Sequence, residues 1–218
     1  MLVYPLKPSL ERNRLPESLD QIFSRFVPQG AVAYCVKIYS YFEFELKIKK
    51  GRKTKLGDFR YDPRKKKQTI TVNNDLNQFH FLITYLHEVA HLVTYKDHGR
   101  SVQPHGPEWK NNFKKVLKPV LNESIFPKDV LAALKSHLQS VKATSCSDPL
   151  LYQTLKRYNE DDGSILLKEL SPGGYFELDG KQYQKIEKRR TRSTCIEIKS
   201  GRKYLVSEIA AVIPIEID

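Results

Sequence analysis

One stretch, from about Asn77 to Lys96, constrains this chain more than any other. Phe79, Ile83, Leu86, Ala90 and Val93 recur there at three- and four-residue intervals, which predicts a helix with one buried stripe. Three strand signals precede it. In FEFELKIKK (42–50), Phe42, Phe44, Leu46 and Ile48 alternate onto one face; KTKLGDFRYD (53–62) follows; and KQTITVN (67–73) is β-branched and ends at Asn73 and Asn74. Upstream, residues 9–44 read as one or two helices. Leu19, Ile22, Phe23 and Phe26 share an apolar face there, and Pro28 with Gly30 marks a break. Strands grouped between helices, without regular alternation, predict an α+β fold.

The long helix carries the pentapeptide HEVAH, residues 87–91. At about 100° per residue, His87 and His91 lie about 40° apart around the axis and one turn apart along it, so two imidazoles can reach one ion. Glu88 lies on the adjoining side, where a carboxylate can take a proton from a water made more acidic by the cation. This is the zincin arrangement. The pentapeptide fixes only three positions, and two histidines hydrogen-bonded on a helix surface would satisfy it equally. The amphipathic helix after several strands is what favours the metal reading.

A zinc site of this kind needs a third protein ligand and an open position. Asp97, His98, His105 and Glu108 are the downstream candidates. The metzincin pattern would place glycine at 94 and histidine at 97, where this chain has Thr94 and Asp97. His98 stands almost two turns past His91, too far along the axis. His105 lies beyond a segment containing Gly99, Pro104 and Gly106 that can fold back over the helix, and it is favoured.

HEVAH, followed by HGPEW with His105 14 positions after His91, resembles the SprT-like family, which includes the Spartan proteases of DNA–protein crosslink repair. The matching residues are His87, Glu88, His91, His105, Gly106 and Trp109. The resemblance covers about residues 10–139 and implies a zincin-like domain in which a small antiparallel sheet lies beside an active-site helix. It implies zinc, one per chain, on His87, His91 and His105, with Glu88 as the base of a metallopeptidase acting on protein substrates. On the residues themselves, Trp109 begins an apolar series with Phe113, Val116 and Val120 and reads as a core anchor. Glu108 reads as a first-turn carboxylate favoured by the helix dipole.

Charge is divided unevenly: residues 1–139 hold 24 Lys+Arg against 13 Asp+Glu, and residues 140–218 hold 13 against 12. Within the first part, residues 47–67 contain 11 basic and two acidic side chains, with Lys53, Lys55, Arg64, Lys65, Lys66 and Lys67 as the candidate contacts to DNA, single-stranded or structured. A solvated lysine-rich hairpin that protects a sheet edge is the competing reading. No apolar run approaches the roughly 20 residues that span a bilayer, the N-terminus has no long apolar segment or small-residue cleavage site, and Cys35, Cys146 and Cys195 are odd in number and far apart. A cytoplasmic protein without a membrane partner is the expectation.

Three parts are expected: residues 1–139 as the metallopeptidase domain, 140–165 as a connecting segment, and 166–218 as a small β-rich module. In the last, Asp179-Gly180 and Ser200-Gly201 read as hairpin turns between short strands. Many SprT-like proteins carry a cysteine-paired zinc ribbon here; this chain has no such pair, so the module must cohere without a second zinc. A nucleic-acid-binding protein with a structural zinc and no peptidase activity is the alternative function. Glu88 argues against it, because a purely structural site has no use for a carboxylate between the histidines.

Overall fold

A computed structural model describes residues 2–3, 17–52, 55–139, 148–159 and 163–216. Two compact units divide the chain, Met1–Asn159 and Glu160–Asp218.

In the first unit, α1 (Leu19–Ser24) starts from a capping box: the Ser18 hydroxyl accepts from Gln21 N at 3.2 Å, and Gln21 Oε1 accepts from Ser18 N at 2.9 Å. A 3₁₀ turn over Gln29–Ala31 follows Pro28 and leads into α2 (Val32–Phe42), so the predicted break falls between two helices. The strands are β1 (Leu2–Val3), β2 (Glu45–Lys49), β3 (Gly57–Asp62) and β4 (Lys67–Asn73), in the order β1-β2-β4-β3. The sheet is mixed, which corrects the antiparallel expectation: β2 and β4 run parallel, with Leu46 beside Ile70 and Ile48 beside Val72. The reason is topological. The β3–β4 hairpin places β4 inside and leaves β3 on the edge, so β4 meets the other flank of β2 in the same direction.

Helix α3 (Gln78–His98) packs on the inner face of this sheet. Asn77 starts it, accepting from Phe79 N and His80 N at 3.1 and 3.0 Å, and Gly99, at φ 60, ends it. The predicted stripe is inside, but every residue from Phe79 to Leu86 is buried, not one face alone. The first half of α3 is enclosed by the sheet on one side and by residues of other helices on the rest, with Phe23 and Phe26 packing on Tyr85 and Phe81.

Helices α4 (Pro107–Leu117), α5 (Lys128–Gln139) and α6 (Pro149–Lys156) complete the unit. Helix α6 falls within the segment read as a connector, yet Leu151 and Leu155 are buried in the same core. Asn77 Nδ2 donates to Leu155 O at 2.8 Å, and His137 Nδ1 of α5 lies 3.0 Å from Asp148 Oδ2 at the start of α6.

The second unit is a six-stranded antiparallel sheet, β5 (Ile165–Leu166), β6 (Tyr175–Leu178), β7 (Lys181–Lys188), β8 (Arg192–Glu197), β9 (Lys203–Ser207) and β10 (Ala211–Ile215), in the order β5-β10-β6-β7-β8-β9. Asp179 and Gly180, both at positive φ, make the β6–β7 turn. Its core is small: Leu167, Phe176, Tyr183, Cys195 and Val212. Lys185, 2% exposed, adds a polar cross-link, donating to Leu167 O and Leu170 O at 2.7 and 2.9 Å with Glu208 Oε1 at 3.5 Å. Phe176 and Tyr183 stack within this core, so they serve packing and offer no open platform to a base. Cys35 and Cys195 are buried free thiols; Cys146 lies outside the described residues. No helix among the described residues is long and apolar enough to cross a membrane.

Candidate metal centre

Helix α3 supplies His87 and His91 one turn apart, and the segment between α3 and α4 returns to bring in His105. Their Nε2 atoms form a nearly equilateral triangle: 3.1 Å between His87 and His91, 3.0 Å between His91 and His105, and 3.1 Å between His105 and His87. Three such atoms cannot all hydrogen-bond to one another. Each is a donor or an acceptor, so at least one of the three pairs must be alike. A cation resolves this conflict, since it takes all three lone pairs, and a tetrahedral zinc with Zn–N of about 2.0–2.1 Å wants nitrogens about 3.3 Å apart. The residues present therefore fit a metal, and no other group of His, Cys, Asp or Glu among the described residues gathers in this way.

Protonation agrees with this arrangement. Burial pushes His87 well below its ordinary value and holds His91 down to about 4, with His105 adding to the effect on both; burial also lowers His105, with Lys110 contributing. All three imidazoles are thus neutral, the form a metal requires.

His105 takes a left-handed backbone, φ 59, which few side chains adopt. Gly106 follows as the N-cap of α4 and Pro107 as its first residue, so the chain turns sharply between ligand and helix. Trp109, the third residue of α4, packs against the His105 ring. Trp109 is fully buried, as the apolar series predicts, and also lies against all three imidazoles, with ring centroids 4.6 Å from His87, 5.2 Å from His91 and 4.6 Å from His105. It stacks in turn on Phe113 at 5.0 Å. Sequence reasoning missed this second role. The HGPEW spacing was the one signal that could have shown it.

Trp109 Nε1 has no partner among the described residues. Trp109→Phe therefore removes an unsatisfied buried donor while losing ring area against the histidines. Its cost in unfolding free energy should stay near 1–2 kcal/mol, roughly that of a partial core truncation. Metal affinity should fall about ten-fold, the scale of an outer-shell loss. Metal titration beside thermal unfolding separates the two.

The remaining ligand candidates do not join the triangle. Asp97 accepts from Asn112 Nδ2 at 3.3 Å, a contact by which α4 grips α3 through Thr94 as well. Glu108 stays in the first turn of α4, and His98 in the last turn of α3. Tyr85, one of two tyrosines near the motif, is buried and donates to Cys35 O at 3.3 Å, away from the histidines. Tyr95, the other, is half-buried against Phe59 and Tyr61 of β3.

Glu88 is 6% exposed. Burial pushes its carboxyl up to about 8 and Asp58 adds to this, while a hydrogen bond from the Phe59 backbone N–H, Arg52 and Lys55 act in the opposite direction. A carboxyl poised near neutrality in a water-poor site can hold and release a proton.

The basic segment is partly paired. Glu45 receives Lys47 and Lys67 at 2.9 Å each, and Asp58 receives both Lys55 and Arg60. Arg64, Lys65 and Lys66 stand exposed at the β3–β4 turn without an ion-pair partner among the described residues; Lys53 lies outside those residues.

Three converging histidines with a buried glutamate on the same helix as two of them make a group that could hold a metal ion in this α+β unit. Residues 21–128 match the model of the SprT-like family, and the chain carries an SprT-like domain. Comparisons with curated proteins and with solved structures return no match.

Proposed function

We propose that this chain is a zinc-dependent peptidase that cleaves proteins, including proteins held on DNA. The observation that carries the reading is the convergence of three neutral Nε2 atoms beside a buried carboxyl on the adjoining side of the same helix. Three neutral nitrogen donors from protein leave a fourth position for water or substrate, the donor set of a catalytic rather than a closed structural site. Zinc bound there supplies Lewis acidity toward water and the scissile carbonyl. Glu88 takes the proton of the attacking water and returns it to the leaving amine. Its burial, which disfavours the ionised form, suits the second task, and the Phe59 N–H holds the carboxyl in place for the first. His87, His91 and His105 orient, and Trp109 keeps their rings from turning.

Metal content and cleavage of a denatured protein, measured with and without single-stranded DNA and a chelator, test the reading together. The expected result is one zinc per chain, cleavage lost with the metal and restored by zinc. Cleavage indifferent to chelation would end it.

The DNA component is supported by the exposed cluster at the β3–β4 turn. Because Arg64, Lys65 and Lys66 are free of ion pairs among the described residues, replacing all three by glutamine should weaken DNA binding. The salt dependence should flatten by about two to three units of slope, one for each phosphate no longer neutralised. Fluorescence anisotropy at several salt concentrations measures this. An unchanged slope would return the segment to a solvated hairpin.

A further inference from the structure

Edge strand β3 passes closer to α3 than a side chain at residue 57 allows. A Cβ added at Gly57 would stand 2.6 Å from Glu88 Oε1, 2.8 Å from Glu88 Cγ and 2.9 Å from Thr84 Cγ2. Thr84 and Glu88 lie one turn apart on α3 and both are buried, so neither can swing away into solvent. Thr84 is also β-branched and stiff. Gly57 is not among the glycines at positive φ, so it is space and not backbone conformation that its missing side chain provides. The strand is held at this distance from both sides: Gly57 pairs with Val72 in the ladder with β4, and Phe59 and Tyr61 pack on Tyr95 of α3. From the same strand, the Phe59 N–H reaches the Glu88 carboxyl.

We propose that Gly57 is a positioning residue for Glu88: the bare backbone at residue 57 lets β3 close on α3 and fixes where the Glu88 carboxyl stands. The consequence for turnover rests on the peptidase reading above; the positional claim does not. A methyl group at residue 57 meets the carboxyl and its Cγ first, so the group that must move is the one the chemistry uses. Displacement of a reacting group by about 1 Å costs roughly 100-fold in rate. The three histidines touch none of this, and metal binding should be spared.

The test is Gly57→Ala in the full chain, alone and with Thr84→Ser, which removes the second obstructing methyl. In a crystal structure of the zinc-loaded variant, the three Nε2 atoms should keep their places and the Glu88 carboxyl should shift away from residue 57. Zinc should remain at one per chain, and kcat for protein cleavage should fall about ten- to hundred-fold with KM little changed. Thr84→Ser should not restore kcat, because the contact with Glu88 persists. A carboxyl that stays in place, or full rescue by Thr84→Ser, overturns the proposal, since either would mean that only the general fit of β3 is at stake. If the carboxyl moves in the zinc-loaded variant but wild type itself cleaves no protein, the positioning role stands and the peptidase reading fails.

Discussion

Glu88→Gln is expected to keep one zinc per chain and to lower protein cleavage by about 10²–10⁴-fold, the usual contribution of a general base. Glutamine matches the carboxyl in size and can still accept from the Phe59 N–H, so the histidine triangle has no reason to move. What it cannot do is take a proton. A second readout needs no substrate. Burial raises the Glu88 carboxyl from its ordinary 4.5 to about 8, so in the metal-free protein the folded state holds a proton that the unfolded state releases across that window. The sign follows: an acid raised on folding adds stability below its unfolded pKa and loses that contribution as pH rises toward its folded one. Metal-free wild type should therefore lose stability relative to Glu88→Gln between about pH 4.5 and 8. The lowered histidines act in the opposite sense but are common to both proteins and cancel in the comparison. Thermal unfolding of the two metal-free proteins from about pH 5 to 8.5 checks this, and parallel curves would show that the carboxyl is not held protonated. A residue that weakens the fold at the working pH is what a functional site, as opposed to a structural one, tolerates.

What the sequence makes legible is set by the range of the interactions concerned. Helix α3 could be read because its apolar spacing is local, and His87 with His91 because one turn of a helix puts them together whatever surrounds it. The complete burial of Phe79–Leu86 could not, because it comes from residues such as Phe23 and Phe26 that are distant in the chain. The alternation in β2 and β4 marks an inner face but names no neighbour, so a parallel pairing looks the same as an antiparallel one. The basic run shows its charge but not that Glu45 and Asp58 each bind two of its cations. Gly57 reads as an unremarkable strand residue until α3 is placed under it. In the second unit, the missing cysteine pair announced that something else must hold the sheet. A small apolar core does so, and that a lysine buried on two carbonyls would join it had no signal in the sequence, since lysine on a strand reads as solvent-facing.

The third ligand allows the sharpest separation of metal binding from folding. His105 occupies a left-handed backbone at φ 59, so an alanine there removes the ligand and leaves a residue ill suited to that conformation. Asparagine removes the ligand too but tolerates the left-handed region by hydrogen-bonding locally. Both variants should lose zinc affinity by more than the roughly 10–100-fold that loss of an outer partner costs, because a ligand itself is gone. In the metal-free state, His105→Asn should be more stable than His105→Ala by up to about 1 kcal/mol, a fraction of the left-handed penalty. Zinc titration and thermal unfolding of the metal-free proteins give the two numbers. A common loss of zinc with this small difference in stability would place His105 as a ligand carried on a strained turn. Retention of zinc in both would move the third ligand elsewhere and end the assignment of His105.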